Sequence, residues 1–347
     1  MRTQLQVSVP TPEPRVIAIG GGTGIYAVLT GLRSHTSNIT AVVSMSDNGG
    51  SSGRLRDEFG YLPPGDVRRC LVALASDEDS MLLRRLFEYR FERGLGLNGH
   101  TFGNLLLTAL TDILGSTDRA IDEAGYLLRI KGRVLPVTLD SSTLCAHLAD
   151  GHEIRGETDI DIRKAHHDVP IQDIYLEPGA AANPEAVQAI EEADLIVLGP
   201  GDLYTSVIPN LLVDGIPEAI RSSKAKSVYV CNVMTKHGET DGFAASKFIR
   251  EINRYLGGEG SLDCAVLNYH ESLPRDLYER YKGERSEPVS IDLGQCYESV
   301  GQLAIRPLTA TGALVRHDPP KLAETLLKLL QEDAPAPPAE LAGVTVT

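Results

Sequence analysis

Residues 44–56, SMSDNGGSSGRLR, attach Asp47, three glycines, two serines and two arginines directly to the end of an apolar β-like run, TAVVSMS. Gly49, Gly50 and Gly53 would let a ligand approach bare backbone. Ser51 and Ser52, with Asn48 beside them, offer hydroxyl and amide donors, and Arg54 offers a guanidinium suited to phosphate. Asp47 would take a sugar or ribose hydroxyl, or help hold a divalent ion. A flexible linker would have similar composition, but linkers are rarely welded to a strand end.

Two further glycine turns follow buried-strand patterns. In RVIAIGGGTGIYA, Gly21, Gly22, Thr23 and Gly24 with Ala27 match G-x-G-x-x-G/A between a strand and a helix. The helix N-terminus there would present unpaired N–H groups to a phosphate. Asp47 stands 23 residues beyond Gly24, where a dinucleotide fold places its ribose-binding acid. In LGPGDLYTSV, Gly199, Gly201 and Asp202 open a turn, and Tyr204, Thr205 and Ser206 supply hydroxyls at a helix start. Asn104 and His100 of NGHTFGN either reach a ligand or cap a helix. Asp66 of PPGD sits at a helix start, where an acid is favoured by the dipole alone. Asn232 ends another strand-like run.

Other chemistries find little support. There is no P-loop, no kinase signature, no HExxH and no G-x-S-x-G around Ser51 or Ser52. His166-His167 lie in a polar segment and read as solvent-facing, so no metal site is expected there. The five scattered cysteines lack CxxC and fit reduced thiols. A net charge of −14 disfavours nucleic acid as a partner. No apolar run is long enough for a membrane span, and the N-terminus lacks the apolar core of a secretory signal.

The elements that would position these residues alternate strand and helix, which predicts an α/β fold: a Rossmann-like, doubly wound, mostly parallel sheet. Such sheets bind ligands at the carboxyl ends of their strands, where all three glycine turns fall. Residues 133–177 change to short strands and turns and read as a small antiparallel, β-rich elaboration. The expected organisation is an arm over 1–14, a single nucleotide-binding domain over 15–331 and a disordered Pro/Ala tail over 332–347. Asn183 and Asp318 read as N-caps, and Gly115 as a helix C-cap.

Taken together, IGGGTG, SDNGGSSGRLR, PPGDVRRCLVAL, NGHTFGNLLL, LGPGDLYTSVIPNLL and VRHDPPKLAETL resemble the YvcK-type gluconeogenesis factors of the CofD-like superfamily, from about Val16 to Leu330. The resemblance implies a cytoplasmic regulatory factor needed for cell shape and for growth on gluconeogenic carbon sources. It implies binding of a nucleotide sugar, with UDP-N-acetylglucosamine first, and no established catalysed reaction or required cofactor. By motif position it assigns ligand contacts to Arg316 of VRHD and to Tyr281 of ERYKG, with Tyr278 as the alternative. Two enzyme readings stay open. One is a CofD-like transferase moving a phosphate-linked group from a nucleotide donor; metal-assisted transfer would favour clustered carboxylates, whereas Asp47 stands alone in its loop. The other is an NAD(P)-binding enzyme, permitted by the first glycine turn. A homo-oligomer and protein partners are also left open.

Overall fold

The computed structural model describes residues 13–75, 81–269, 273–310, 312, 314–331 and 345–346. Its strands in chain order are β1 (Val16–Gly20), β2 (Ile39–Val43), β3 (Arg133–Pro136), β4 (Thr143–Leu148), β5 (Glu153–Arg155), β6 (Ile171–Glu177), β7 (Leu195–Leu198), β8 (Lys226–Val230), β9 (Cys264–Asn268), β10 (Ile291–Asp292), β11 (Gln302–Arg306) and β12 (Thr345–Val346). Seven of them form one sheet in the order β11-β9-β8-β7-β1-β2-β3. Every pairing in it is parallel. From β1 the chain winds outward to β2 and β3; from β7 it winds the other way to β8, β9 and β11. The reversal point lies between β1 and β7, where a crevice must open at the carboxyl edge. The expected α/β fold is the one observed.

The central strands β1 and β7 are apolar and buried throughout because both faces are covered. Ile17, Ile19, Val42, Ile196 and Leu198 face one core, shared with Phe248 and Ile252 of the helix Ala245–Leu256 and with Leu144 and Ile174 of the small sheet. Val16, Ala18, Val43, Leu195 and Val197 face the other, packed by Leu29, Leu71, Leu74, Leu322 and Leu326. All five cysteines are free and buried. Asn183 caps the helix Pro184–Glu191 by accepting from Glu185 N. Asp318 accepts from Lys321 N at the start of Pro319–Gln331. Gly115 ends the helix Phe102–Leu114 in the left-handed conformation. No described helix is long and apolar enough to cross a membrane.

Two sequence expectations change. The β-rich stretch over 133–177 divides: β3 completes the main sheet, and only β4, β5 and β6 build the antiparallel elaboration, in the order β5-β4-β6. The DNGGSSG stretch is a loop only as far as Gly49; Gly50–Phe59 is a helix. Its serines and Gly53 form a buried first turn, in which Gly53 N donates to the Gly49 carbonyl at 3.0 Å, whereas the first N–H groups of a helix have no partner within it. Most of the arm at 1–14 and of the tail at 332–347 lies outside the described residues; Thr345–Val346 pair antiparallel with β10.

At the reversal point the two glycine turns touch. A Cβ on Gly24 would overlap the Pro200 carbonyl, and Gly201 Cα is also within 2.8 Å of that position. Both obstacles are backbone, which cannot rotate away. Gly24→Ala is therefore expected to destabilise the fold by about 1–3 kcal/mol through overpacking, read as a lower urea midpoint. A midpoint equal to wild type would mean that the two turns separate without cost.

Candidate functional site

The carboxyl edge carries a cavity of about 900 Å³. The turn after β1 contributes Gly21, Gly22 and Gly24, and the turn after β2 contributes Asp47 and Gly49. The helix start adds Gly50, Ser51 and Ser52. Gly201, Asp202, Thr205 and Ser206 follow β7, and Asn232 and Lys236 follow β8. Tyr281 and Arg316, from the C-terminal part of the chain, also line the cavity. A wall comes from the elaboration, where the helix Glu157–Asp161 presents Glu157, Thr158 and Asp161.

A buried polar network fixes the serine turn. Ser51 Oγ lies 3.1 Å from His100 Nδ1. Asn104 Nδ2 donates to Ser51 Oγ at 3.2 Å and to Ser52 Oγ at 3.4 Å, and Asn104 Oδ1 accepts from Arg68 Nε at 2.9 Å. Asn104, only 2% exposed, thus ties hydroxyls to a guanidinium and lines the cavity, while His100 backs Ser51 from outside it.

Several sequence candidates lie elsewhere. The helix begun by Gly50 (φ +46°) turns Arg54 outward, where its Nη2 donates to the Asn98 carbonyl at 3.1 Å. The cations at the cavity are instead Arg68, Arg69, Arg90, Lys236 and Arg316. Asn48 supports the wall: its Oδ1 accepts from Thr158 N at 2.8 Å. Tyr204 is buried beneath the site, and its N–H donates to Glu239 Oε2. Thr23 lies in the first turn of the helix Gly22–Leu32, and Gly199 shapes the turn after β7 from outside the lining. Tyr281, not Tyr278, is at the cavity; its hydroxyl accepts from Val315 N at 3.0 Å, next to Arg316.

The acids are the larger correction. Asp47 is alone in its own loop but not in the site, which also gathers Asp66, Glu157, Asp161 and Asp202. Burial, reinforced by Asp47, pushes the Asp66 carboxyl up to about 6, although Arg69 and the Gly22 N–H favour its ionised form. Burial, then Asp47 and Asp66, pushes Glu157 up to about 7. Lys236 offsets a second group: its ammonium contacts Asp161, Asp202 at 2.7 Å and the fully buried Glu239 at 3.0 Å. Sequence spacing could not assemble these acids. Glu157 opens a short helix and Lys236 lies in a loop, neither marked by any motif, and Asp66 reads as a helix-dipole residue.

The first glycine turn is also occupied from within. Gly22 N–H bonds the Asp66 carboxyl, and a Cβ on Gly21 would stand 2.6 Å from Asp66 Oδ2. The donors that the motif would offer to a phosphate thus face a carboxyl group.

Comparison with known proteins gives a consistent result. The family model described as 2-phospho-L-lactate transferase CofD matches residues 16–310. A gluconeogenesis factor of Bacillus subtilis is 39% identical over 323 residues, covering 92% of this chain and 99% of that one. A gluconeogenesis factor of Halalkalibacterium halodurans is 42% identical over 318 residues, covering 91% and 96%. The crystal structure of a UPF0052-family protein from Bacillus halodurans superposes with a TM-score of 0.84 at 42% identity, covering 90% of this chain and 99% of that one.

The raised acids yield a signed prediction. Asp66 and Glu157 hold protons to higher pH in the fold than in the unfolded chain. Their contribution to stability is fully present below the ordinary carboxylate range and is lost as pH rises through about 6 and about 7. Asp66→Asn keeps an acceptor for Gly22 and removes the charge. It should raise the stability of the ligand-free protein at pH 8 by about 1–3 kcal/mol, with the gain vanishing towards pH 4. Urea midpoints at the two pH values measure this; an unchanged or lower midpoint at pH 8 would show the Asp66 charge to be compensated.

Proposed function

The chain belongs to the CofD family, on the branch of the gluconeogenesis factors, and from that premise we propose that it is a cytoplasmic regulatory factor that binds a nucleotide sugar, UDP-N-acetylglucosamine above others, and serves cell morphogenesis and growth on gluconeogenic carbon. One observation carries the reading. The cavity at the reversal point is lined by glycine turns and hydroxyls together with Tyr281 and Arg316. Its volume of about 900 Å³ is within the range of ligand pockets. A tyrosine face suits uracil, an arginine suits a diphosphate, and the Ser51, Ser52, Thr205 and Ser206 hydroxyls suit a sugar.

A diphosphate entering beside Asp47, Asp66 and Glu157 meets like charge. A divalent cation held by these carboxylates would remove that repulsion, and Asp47 and Asp66, whose charges act on each other, would be the residues to hold it. The same acids support the second reading, a CofD-like transferase, in which they would hold a cation able to supply stabilisation for charge on a nucleotide leaving group. An NAD(P) enzyme has weaker support, since the carboxyl group of Asp66 faces the N–H donors a dinucleotide would use.

Calorimetric titration with UDP-N-acetylglucosamine, with and without Mg²⁺, tests the proposal. Binding should strengthen with Mg²⁺, and Arg316→Ala should cost about 1.5–3 kcal/mol, the worth of a hydrogen bond to a charged group. No heat with any UDP-sugar would sink the proposal, and unchanged affinity in the folded Arg316→Ala protein would remove that residue from the site. Nucleotide release in the same mixtures, followed chromatographically, would favour the transferase reading.

A further inference from the structure

Away from the cavity, the elaboration gathers two imidazoles and a carboxylate at one point. Asp150 and His152 lie in the turn between β4 and β5, and His166 lies in the segment that follows the helix Glu157–Asp161. Asp150 Oδ2 is 3.1 Å from His152 Nδ1 and 3.1 Å from His166 Nδ1. The two rings are stacked obliquely, with centroids 4.0 Å apart. All three ligand atoms lie within 4.8 Å of one another.

We propose that Asp150, His152 and His166 form a surface site for a borderline transition-metal dication, with Zn²⁺ the best fit. In tetrahedral zinc sites, bonds of about 2.0–2.1 Å set ligand atoms roughly 3.3 Å apart. The two histidine–carboxylate separations need only a small opening to reach that value. Mixed imidazole and carboxylate donors select zinc-like ions over Mg²⁺ or Ca²⁺, which take oxygen ligands. Three protein ligands and half-exposed side chains leave a fourth position for water.

The backbone is arranged to hold this cluster. Asp150 Oδ1 accepts from His152 N at 3.1 Å, which fixes the carboxylate within its turn. His166 adopts φ +57°, a left-handed conformation sparsely used by non-glycine residues. Its carbonyl accepts from Arg163 Nη1 at 3.2 Å and from Val169 N at 3.0 Å, so this conformation is tied down. A bound ion would cross-link the β4–β5 turn to the segment after the helix that bears Glu157 and Asp161, independently of what the cavity binds.

The test is competition for Zn²⁺ between the metal-stripped full-length protein and the chromophoric chelator 4-(2-pyridylazo)resorcinol. One ion per chain is expected. His152→Ala and His166→Ala should each weaken binding about tenfold or more, as should Asp150→Asn, which keeps the size and turn-forming acceptor of the side chain. His35→Ala, at an exposed histidine elsewhere, should bind as wild type. Circular dichroism of each variant confirms the fold. Fewer than one ion per chain, or undiminished binding by a His152→Ala/His166→Ala double variant, would overturn the proposal.

Discussion

The approach of Gly24 to the Pro200 carbonyl is the constraint on which the site depends. The sheet reverses its winding between β1 and β7, so the turns leaving these two strands pass within van der Waals range of each other. Only a residue without Cβ fits between them. With the turns locked, the helix Gly22–Leu32 takes a fixed direction, its first N–H meets Asp66, and the serine-bearing helix closes the other side. Glycine here serves packing of protein on protein before it serves any ligand, and a motif read as a phosphate cradle is partly a structural joint.

Charge balance is the second governing feature. Burial of several carboxylates at one edge would cost several kcal/mol without compensation. The fold answers in two ways. Lys236 sits among Asp161, Asp202 and Glu239 as a resident cation. Asp66 and Glu157 instead retain protons into the neutral range. The two groups are coupled, because burial and then Glu239, Glu157 and Asp66 push up the Asp202 carboxyl; a cation arriving beside them would relieve repulsion already present. Stability and ligand readiness therefore pull against each other at Asp66.

Much of this was legible from local pattern. Buried strands followed by glycine declared the sheet and its carboxyl edge, and Asn183, Asp318 and Gly115 behave as their cap chemistry requires. Most of the glycine-turn candidates converge on the cavity because strand ends share one edge. Arg54 failed that logic, since the stretch expected to be loop is helical and helical geometry turns it outward. Asn48 and Tyr204 are near the site but spend their polar groups on Thr158 and Glu239. Glu157, Lys236 and Arg68 were invisible because nothing in an isolated charged residue records which distant segment it will face. The Asp150, His152 and His166 cluster was hidden for the same reason: the sequence pairs His166 with its neighbour His167, while the fold brings it to the β4–β5 turn.

The cavity wall formed by Glu157, Thr158 and Asp161 is carried by the β4–β6 elaboration, which shares a buried core with the sheet through Leu144, Ile160 and Ile174 and meets the strand-end loops through Asn48 and Lys236. Division of labour follows from that attachment. The seven-stranded sheet supplies the strand-end turns, whereas the chain inserted between β3 and β7 adds Glu157 and Asp161 to the cavity lining. Exchanges at Glu157 and Asp161 would then change the charge of the cavity lining while the strand-end turns keep their residues, so the acidity of the pocket can vary on a constant frame.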